Sequence, residues 1–171
     1  MASQEVVFEE ASPTDANELN RFLEEVTAET DLITKENPAL TNQEMTVFLE
    51  QQAANPRNIC LLAKLGETII GTLNLVSFQD DENRWLGDIF LVIKKDYRGH
   101  GLGQILLEIL LDWADEVAHL EALVLTVQAR NQAAIHIYQK FGFKIDGIRE
   151  KAVLSRENSY LDVYSMSRTI K

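Results

Sequence analysis

Apolar and polar positions change their period several times along the chain, and each change marks an element. Val6 to Phe8 reads as a short strand. Ser12-Pro13-Thr14-Asp15 then offers helix-capping residues before apolar positions at Leu19, Phe22, Leu23 and Val26. A second helix is expected after Asn42. Asn58 to Lys64 and Thr68 to Val76 read as strands joined at Gly66-Glu67, and the polar run Gln79 to Asn83 turns the chain into a third strand, Trp85 to Ile93. These strands form a meander. Apolar positions 102, 105, 106, 109, 110, 113 and 117 then follow helical spacing. Ala122 to Val127 reads as a buried strand from its β-branched content. A further helix begins at Asn131, apolar at 134, 137, 138 and 141, and stops at Gly142. Strand, helix, strand, helix implies a parallel pair. Phe143 to Ile148 and Leu161 to Ile170 read as two strands of a closing antiparallel hairpin.

The pattern predicts one α/β domain over 1–171, with no linker, repeat or low-complexity tract to divide it. At 171 residues, 46% of them hydrophobic, the chain can bury a core unaided. No basic, apolar leader opens it and no apolar run approaches the ~18 residues of a membrane span, so a soluble cytoplasmic protein without membrane association is expected. The net charge of −11 disfavours nucleic acid as a partner, because phosphate backbones need a basic face. Glu24 to Glu50 holds seven acidic residues against Lys35 alone, which makes either a solvated face or the mouth of a site for a cationic substrate. Cys60, the single cysteine, sits in an apolar run and reads as a buried thiol. His100, His119 and His136 read as surface positions, so no metal site is expected. Trp85 and Trp113 read as core anchors.

The chemistry gathers at Arg98-Gly99-His100-Gly101-Leu102-Gly103, between a strand and a helix. Glycines there let backbone N–H groups approach a phosphate at the positive end of a helix, and Arg98 adds charge. A dinucleotide fingerprint would need glycine where Gln104 stands, and a P-loop would need Lys followed by Ser or Thr where Gln104 and Ile105 stand. The spacing that fits is Arg98-x-x-Gly101-x-Gly103. After the strand Ile89 to Ile93, it resembles the acetyl-CoA pyrophosphate turn of the GNAT superfamily of N-acetyltransferases. Leu125-Thr126-Val127 followed by Asn131-x-x-Ala134-x-x-x-Tyr138-x-x-x-Gly142-Phe143 is similar to that superfamily's second cofactor segment. The resemblance covers roughly Asn58 to Met166. Its ending, from Gly147-Ile148-Arg149 through Tyr160 to Met166, is similar to branches that acetylate small amines, antibiotics or protein N-termini.

The resemblance implies a mixed sheet with an antiparallel meander, a central splayed parallel pair and a C-terminal hairpin, flanked by about four helices. It implies acetyl-CoA as donor and no metal. Phe90, Leu91 and Val92 would bind the pantetheine arm through their backbone, Arg98, Gly99, His100, Gly101, Leu102 and Gly103 would hold the pyrophosphate, and Asn131 would contact the cofactor or cap its own helix. The cofactor side would lie mainly in 85–143 and the acceptor side in 12–57 and 144–166. Acetyl would pass to a primary amine by direct attack through a tetrahedral intermediate, in a monomer or homodimer. A lysine-like amine is only about 1 part in 2,500 neutral at pH 7, so a carboxylate, or a water chain leading to one, must take its proton. Some relatives carry a glutamate where this chain has Thr126, which cannot act as a base. Asp88, in strand parity with Phe90 and Val92, is the candidate, and Asp162 is a weaker candidate for acceptor binding. Tyr138, a phenol protonated at pH 7, fits the acid for the departing thiolate, or else packs in the core. The acidic amino-terminal part favours a cationic small-molecule acceptor. A protein N-terminus, or a CoA-binding module without transfer, remains an alternative.

Overall fold

Alternating burial in strands and a 3.6-residue stripe in helices are realised along nearly the whole chain in the computed structural model, which describes residues 5–33, 39–117 and 119–170. The strands are β1 (Val6–Glu10), β2 (Ile59–Leu65), β3 (Thr68–Gln79), β4 (Trp85–Ile93), β5 (Leu120–Gln128), β6 (Lys144–Leu154) and β7 (Tyr160–Thr169). The helices are α1 (Ala16–Glu29), α2 (Asn42–Ala54), α3 (Leu102–Glu116) and α4 (Gln132–Lys140). All the strands join one sheet in the order β1-β2-β3-β4-β5-β7-β6. Only β4 and β5 run parallel; the other neighbours are antiparallel. This is the expected architecture of meander, parallel pair and hairpin.

Period-2 alternation sends the two faces of the sheet to different cores. Ile59, Leu61, Leu73, Leu75 and Ile89 pack with α3 and α4, whereas Cys60, Leu62 and Val92 pack with α1 and α2. Cys60 is buried, as expected, at 3% exposure. The helix ends follow local chemistry. Thr41 and Glu44 close a capping box at the start of α2, and Asn131 caps α4 by accepting the Ala134 N–H at 3.3 Å.

Several details depart from the sequence reading. The buried stripe of α3 is Leu102, Leu106, Leu107, Leu110 and Ala114, so Ile105 faces outward and the helix is rotated relative to the expected stripe. Leu107 and Ala114 are buried in the core between α3 and the sheet, while Ile109 and Trp113 pack at its margin. β3 continues to Gln79, and β6 continues to Leu154. Both gain residues through their ladders with β4 and β7, partners that periodicity cannot see. Neither tryptophan is a buried anchor. Trp85 lies beneath the Arg57 guanidinium, 4.2 Å from its ring centroid, and Trp113 packs at the core margin.

Candidate active site

The cleft exists because the parallel pair comes apart. Pairing between β4 and β5 stops at Asp88↔Val124, while β4 runs on beside β3 and β5 runs on beside β7. Lys94 donates its N–H to the Ile70 carbonyl at 2.9 Å, which sets the alternation of the β3–β4 ladder. By that alternation Leu91 turns its N–H and C=O toward the splayed side, where no strand pairs with it. The Ile93 carbonyl on the same side accepts from Arg98 Nε at 2.9 Å. A cleft of about 660 Å³ opens at the splay and reaches both faces of the sheet.

On the α3 side the wall is the glycine turn. Gly99 and Gly101 both have φ +80°, the left-handed region that favours glycine. Gly101 occupies the N-cap of α3 without a side-chain cap, and the first helical bond runs from the Ile105 N–H to the Gly101 carbonyl at 3.1 Å. The N–H groups of Leu102, Gly103 and Gln104 therefore lack helical acceptors and lie at the positive end of the helix. Such an end, beside the exposed Arg98, suits a diphosphate. Lys94 pairs with Glu25 at 2.6 Å and the Lys95 N–H donates to Glu29 at 3.0 Å, so α1 steadies the chain entering the turn. The His100 side chain is exposed and lies outside the lining; the other five residues of 98–103 are part of it.

α4 closes the same side through Asn131, Ala134, Ile137 and Tyr138. Tyr138 is 7% exposed and meets Phe143 edge-on at 5.7 Å between ring centroids. Its hydroxyl makes no hydrogen bond among the described residues, and burial pushes its pKa well above the usual phenol value. Core packing and an available phenol proton thus coexist in one side chain.

The opposite side is formed by Asn74, Val76, Asp88, Phe90 and Thr126 together with Thr30, Leu32 and Ile33. Cross-strand pairing of Asn74 with Phe90 and of Val76 with Asp88 puts those four side chains on one face, as strand parity requires. Asp88 is exposed at the point where the strands part. The wall at 30–33 is held by Asp31. Its carboxylate accepts from the Arg156 N–H at 3.0 Å and from Arg130 Nη2 at 2.7 Å, and its carbonyl accepts from Gln128 Nε2 at 2.7 Å. The Arg156 N–H and the Arg130 guanidinium hold the Asp31 carboxyl below the usual carboxylate range. The Arg156 guanidinium also donates to the carbonyls of Thr27, Ala28 and Thr30 at the end of α1.

These contacts bear on the acidic segment. Glu25, Glu29, Asp31 and Glu44 all have structural partners, Glu24 and Glu50 are exposed, and Glu36 and Lys35 lie outside the described residues. Asp162 is outside the cleft: its carboxylate accepts the Lys151 N–H at 3.0 Å, at a bulge of β6 where Lys151 has φ +52°. Among the described residues no group of three or more His, Cys, Asp or Glu is placed to hold a metal, and no helix is long and apolar enough to cross a membrane. Asn74, Val76, Thr30, Leu32 and Ile33 are cleft residues that motif spacing missed. Their only signal in the chain is the parity of Asn74 and Val76 within β3.

The cleft thus brings residues of both motif segments, 98–103 and 131–138, to one gap beside the splayed strands. The family model of the Acetyltransferase (GNAT) family matches residues 24–143, and the chain belongs to that family. It is accordingly an N-acetyltransferase that uses acetyl-CoA. Among curated proteins it is similar to the L-amino acid N-acetyltransferase AaaT of Escherichia coli, 27% identical over 71% of this chain and 75% of that protein. Among solved structures it is similar to a GNAT-family acetyltransferase from Streptococcus pneumoniae, with a TM-score of 0.90 and 43% identity over 96% of this chain and 99% of that one. It also shares its fold with yncA from Salmonella typhimurium, solved with its cofactor acetyl-CoA, at a TM-score of 0.84 and 16% identity over 98% and 95% of the two chains.

Proposed function

We propose that this enzyme moves acetyl from acetyl-CoA to the primary amine of a small acceptor that is cationic in solution, with the donor on the α3/α4 side of the sheet and the acceptor on the α1/α2 side. The observation that carries this reading is the splay at Asp88↔Val124, which gives two opposite faces access to one gap. The uncapped start of α3 supports the diphosphate assignment. The Leu91 N–H, aimed into the gap, is suited to the carbonyl oxygen as charge develops there. Asp88, at the acceptor end of the gap, takes the ammonium proton so that the neutral amine can attack. Tyr138, on the donor side, keeps its proton through neutral pH and can give it to the leaving sulfur. Acid and base would then stand on opposite sides of the gap, the base by the incoming nitrogen and the acid by the leaving sulfur. The acceptor relies on the wall at 30–33, which Asp31 and Arg156 hold. The E. coli relative, by its name, works on L-amino acids, which is in keeping with a small acceptor.

The test combines thermal unfolding with and without acetyl-CoA and thiol release across polyamines, amino sugars, amino acids and short peptides. Ligand at about 100 Kd adds roughly 2.7 kcal/mol, a rise of about 5–10 °C here. A shift with turnover of small amines supports the proposal. Turnover confined to peptide N-termini would reassign the acceptor, and a shift without thiol release from any amine would leave a CoA-binding module.

A further inference from the structure

The acceptor wall contains a chain of three side-chain amides whose orientations are fixed one after another. It begins at β3, where the Ser77 backbone N–H donates to Asn58 Oδ1 at 2.8 Å and the Ser77 hydroxyl donates to the same oxygen at 2.6 Å. A backbone N–H can only donate, so the atom facing it must be the oxygen of Asn58. The Asn58 nitrogen therefore points the other way and donates to Gln52 Oε1 at 2.8 Å. Gln52, 4% exposed on the inner face of α2, must then present its nitrogen to β3. It donates to the Leu75 carbonyl at 3.1 Å and to Asn74 Oδ1 at 2.7 Å. A backbone carbonyl can only accept, so both ends of the chain agree on every orientation. The last amide, Asn74, lines the cleft with its oxygen already engaged, and its Nδ2 has no partner among the described residues.

We infer that Asn74 is a specificity-determining residue whose Nδ2 donates to an oxygen of the acceptor, so that the enzyme selects amines bearing a nearby carbonyl, carboxylate or hydroxyl oxygen over polyamines and plain alkylamines. The inference rests on the amine-acetylating reading above and narrows its substrate class. Asn74 stands opposite Phe90 and next along its face to the Val76–Asp88 pair, so an acceptor with its nitrogen near Asp88 has an oxygen within one small molecule's reach of Asn74. An oxygen-free amine leaves that donor unmatched when the cleft fills, which disfavours it. Gln52 and Asn58 act through Asn74 and are positioning residues. Their contribution is to deny the terminal amide its other rotamer, in which an oxygen would face the acceptor instead.

The experiment measures kcat/KM for size-matched amine pairs with and without the oxygen, such as ethanolamine with propylamine and glycinamide with butylamine, and for spermidine, in the wild type, Asn74→Asp and Gln52→Met. Acetyl-CoA-induced thermal shifts verify that each variant folds and binds donor. The wild type is expected to prefer the oxygen-bearing partner by about ten- to a hundredfold. Asn74→Asp keeps the oxygen that Gln52 binds but replaces the open donor by an acceptor, so the preference should collapse or invert toward spermidine. Gln52→Met should reduce the preference without contacting the acceptor, whereas a merely structural role would lower kcat/KM for both members of a pair alike. Equal wild-type use of paired amines, or a preference that survives Asn74→Asp, overturns the inference while leaving amine acetylation intact. Donor binding with no turnover of any amine in the wild type overturns both.

Discussion

Gly101 allows the diphosphate assignment to be separated from simple backbone need. Its φ of +80° penalises any side chain, yet a Cβ built there meets nothing within 4 Å. Gly101→Ala thus isolates the conformational cost, about 1 kcal/mol for a left-handed non-glycine residue, or roughly 2–4 °C in Tm for a domain of this size. Gly101→Glu carries the same backbone cost and adds a carboxylate at the uncapped helix start. Two unit charges about 6 Å apart interact by roughly 3 kcal/mol at an effective dielectric of about 20. The turn is partly open to water, so about 1–2 kcal/mol should survive screening, a five- to thirtyfold loss of affinity. Titration calorimetry of both variants with acetyl-CoA gives the comparison. The expected result is similar Tm values, a Kd near that of the wild type for Gly101→Ala, and a markedly weaker Kd for Gly101→Glu that improves as salt is added. Equal Kd values in the two variants would falsify the placement of the diphosphate at this turn.

Three further expectations follow from the same geometry. Tyr138→Phe should lower kcat by about a hundredfold while leaving the acetyl-CoA Kd and the Tm near their wild-type values, since the hydroxyl gives up no internal hydrogen bond; unchanged kcat would reduce Tyr138 to packing against Phe143. Asp88→Asn should lower kcat/KM at pH 7 by about a hundredfold or more and recover partly at pH 9, where more of the amine is neutral unaided; wild-type activity at pH 7 would remove Asp88 from proton transfer. Burial pushes the Cys60 thiol from its ordinary value near 9 up to about 11. The unfolded chain then releases a proton that the folded protein retains, so this contribution is present below pH 9, falls as pH rises, and is fully lost above about pH 11. Urea unfolding of Cys60→Val should show a flatter dependence between those limits than the wild type, and identical slopes would mean that Cys60 does not titrate on unfolding.

Element types and the glycine turn were legible because their causes are local. Strand alternation, the cap at Asn131, and glycines at positive φ are properties of a few consecutive residues, and Trp85–Ile93 emerged with both boundaries intact. Asp88, Phe90 and Val92 could be assigned to one face by parity alone, and Tyr138 to the inner stripe of its helix. The rotation of α3 was not legible, because Ile105 and Leu107 are equally apolar and only contact with the sheet chooses between them. The roles of the acidic segment's charges were not legible for a similar reason. Composition counts its charges, but Lys94, Arg130 and the backbone of Arg156, distant in sequence, decide that several of them are structural.

What the sequence by itself determined, then, is the order of strands and helices, the family to which the chain belongs, and the turn able to receive a diphosphate. The tertiary structure decided where the parallel pair parts, which β4 backbone groups lie open, and which residues outside the motifs line the acceptor wall. The physical reason is that ladder register and side-chain hydrogen bonds are pairwise matters between distant segments. Gln52, Asn58 and Asn74 are unremarkable polar residues in the chain, and they acquire fixed orientations only when α2 is laid on β2 and β3 so that each amide must satisfy the next.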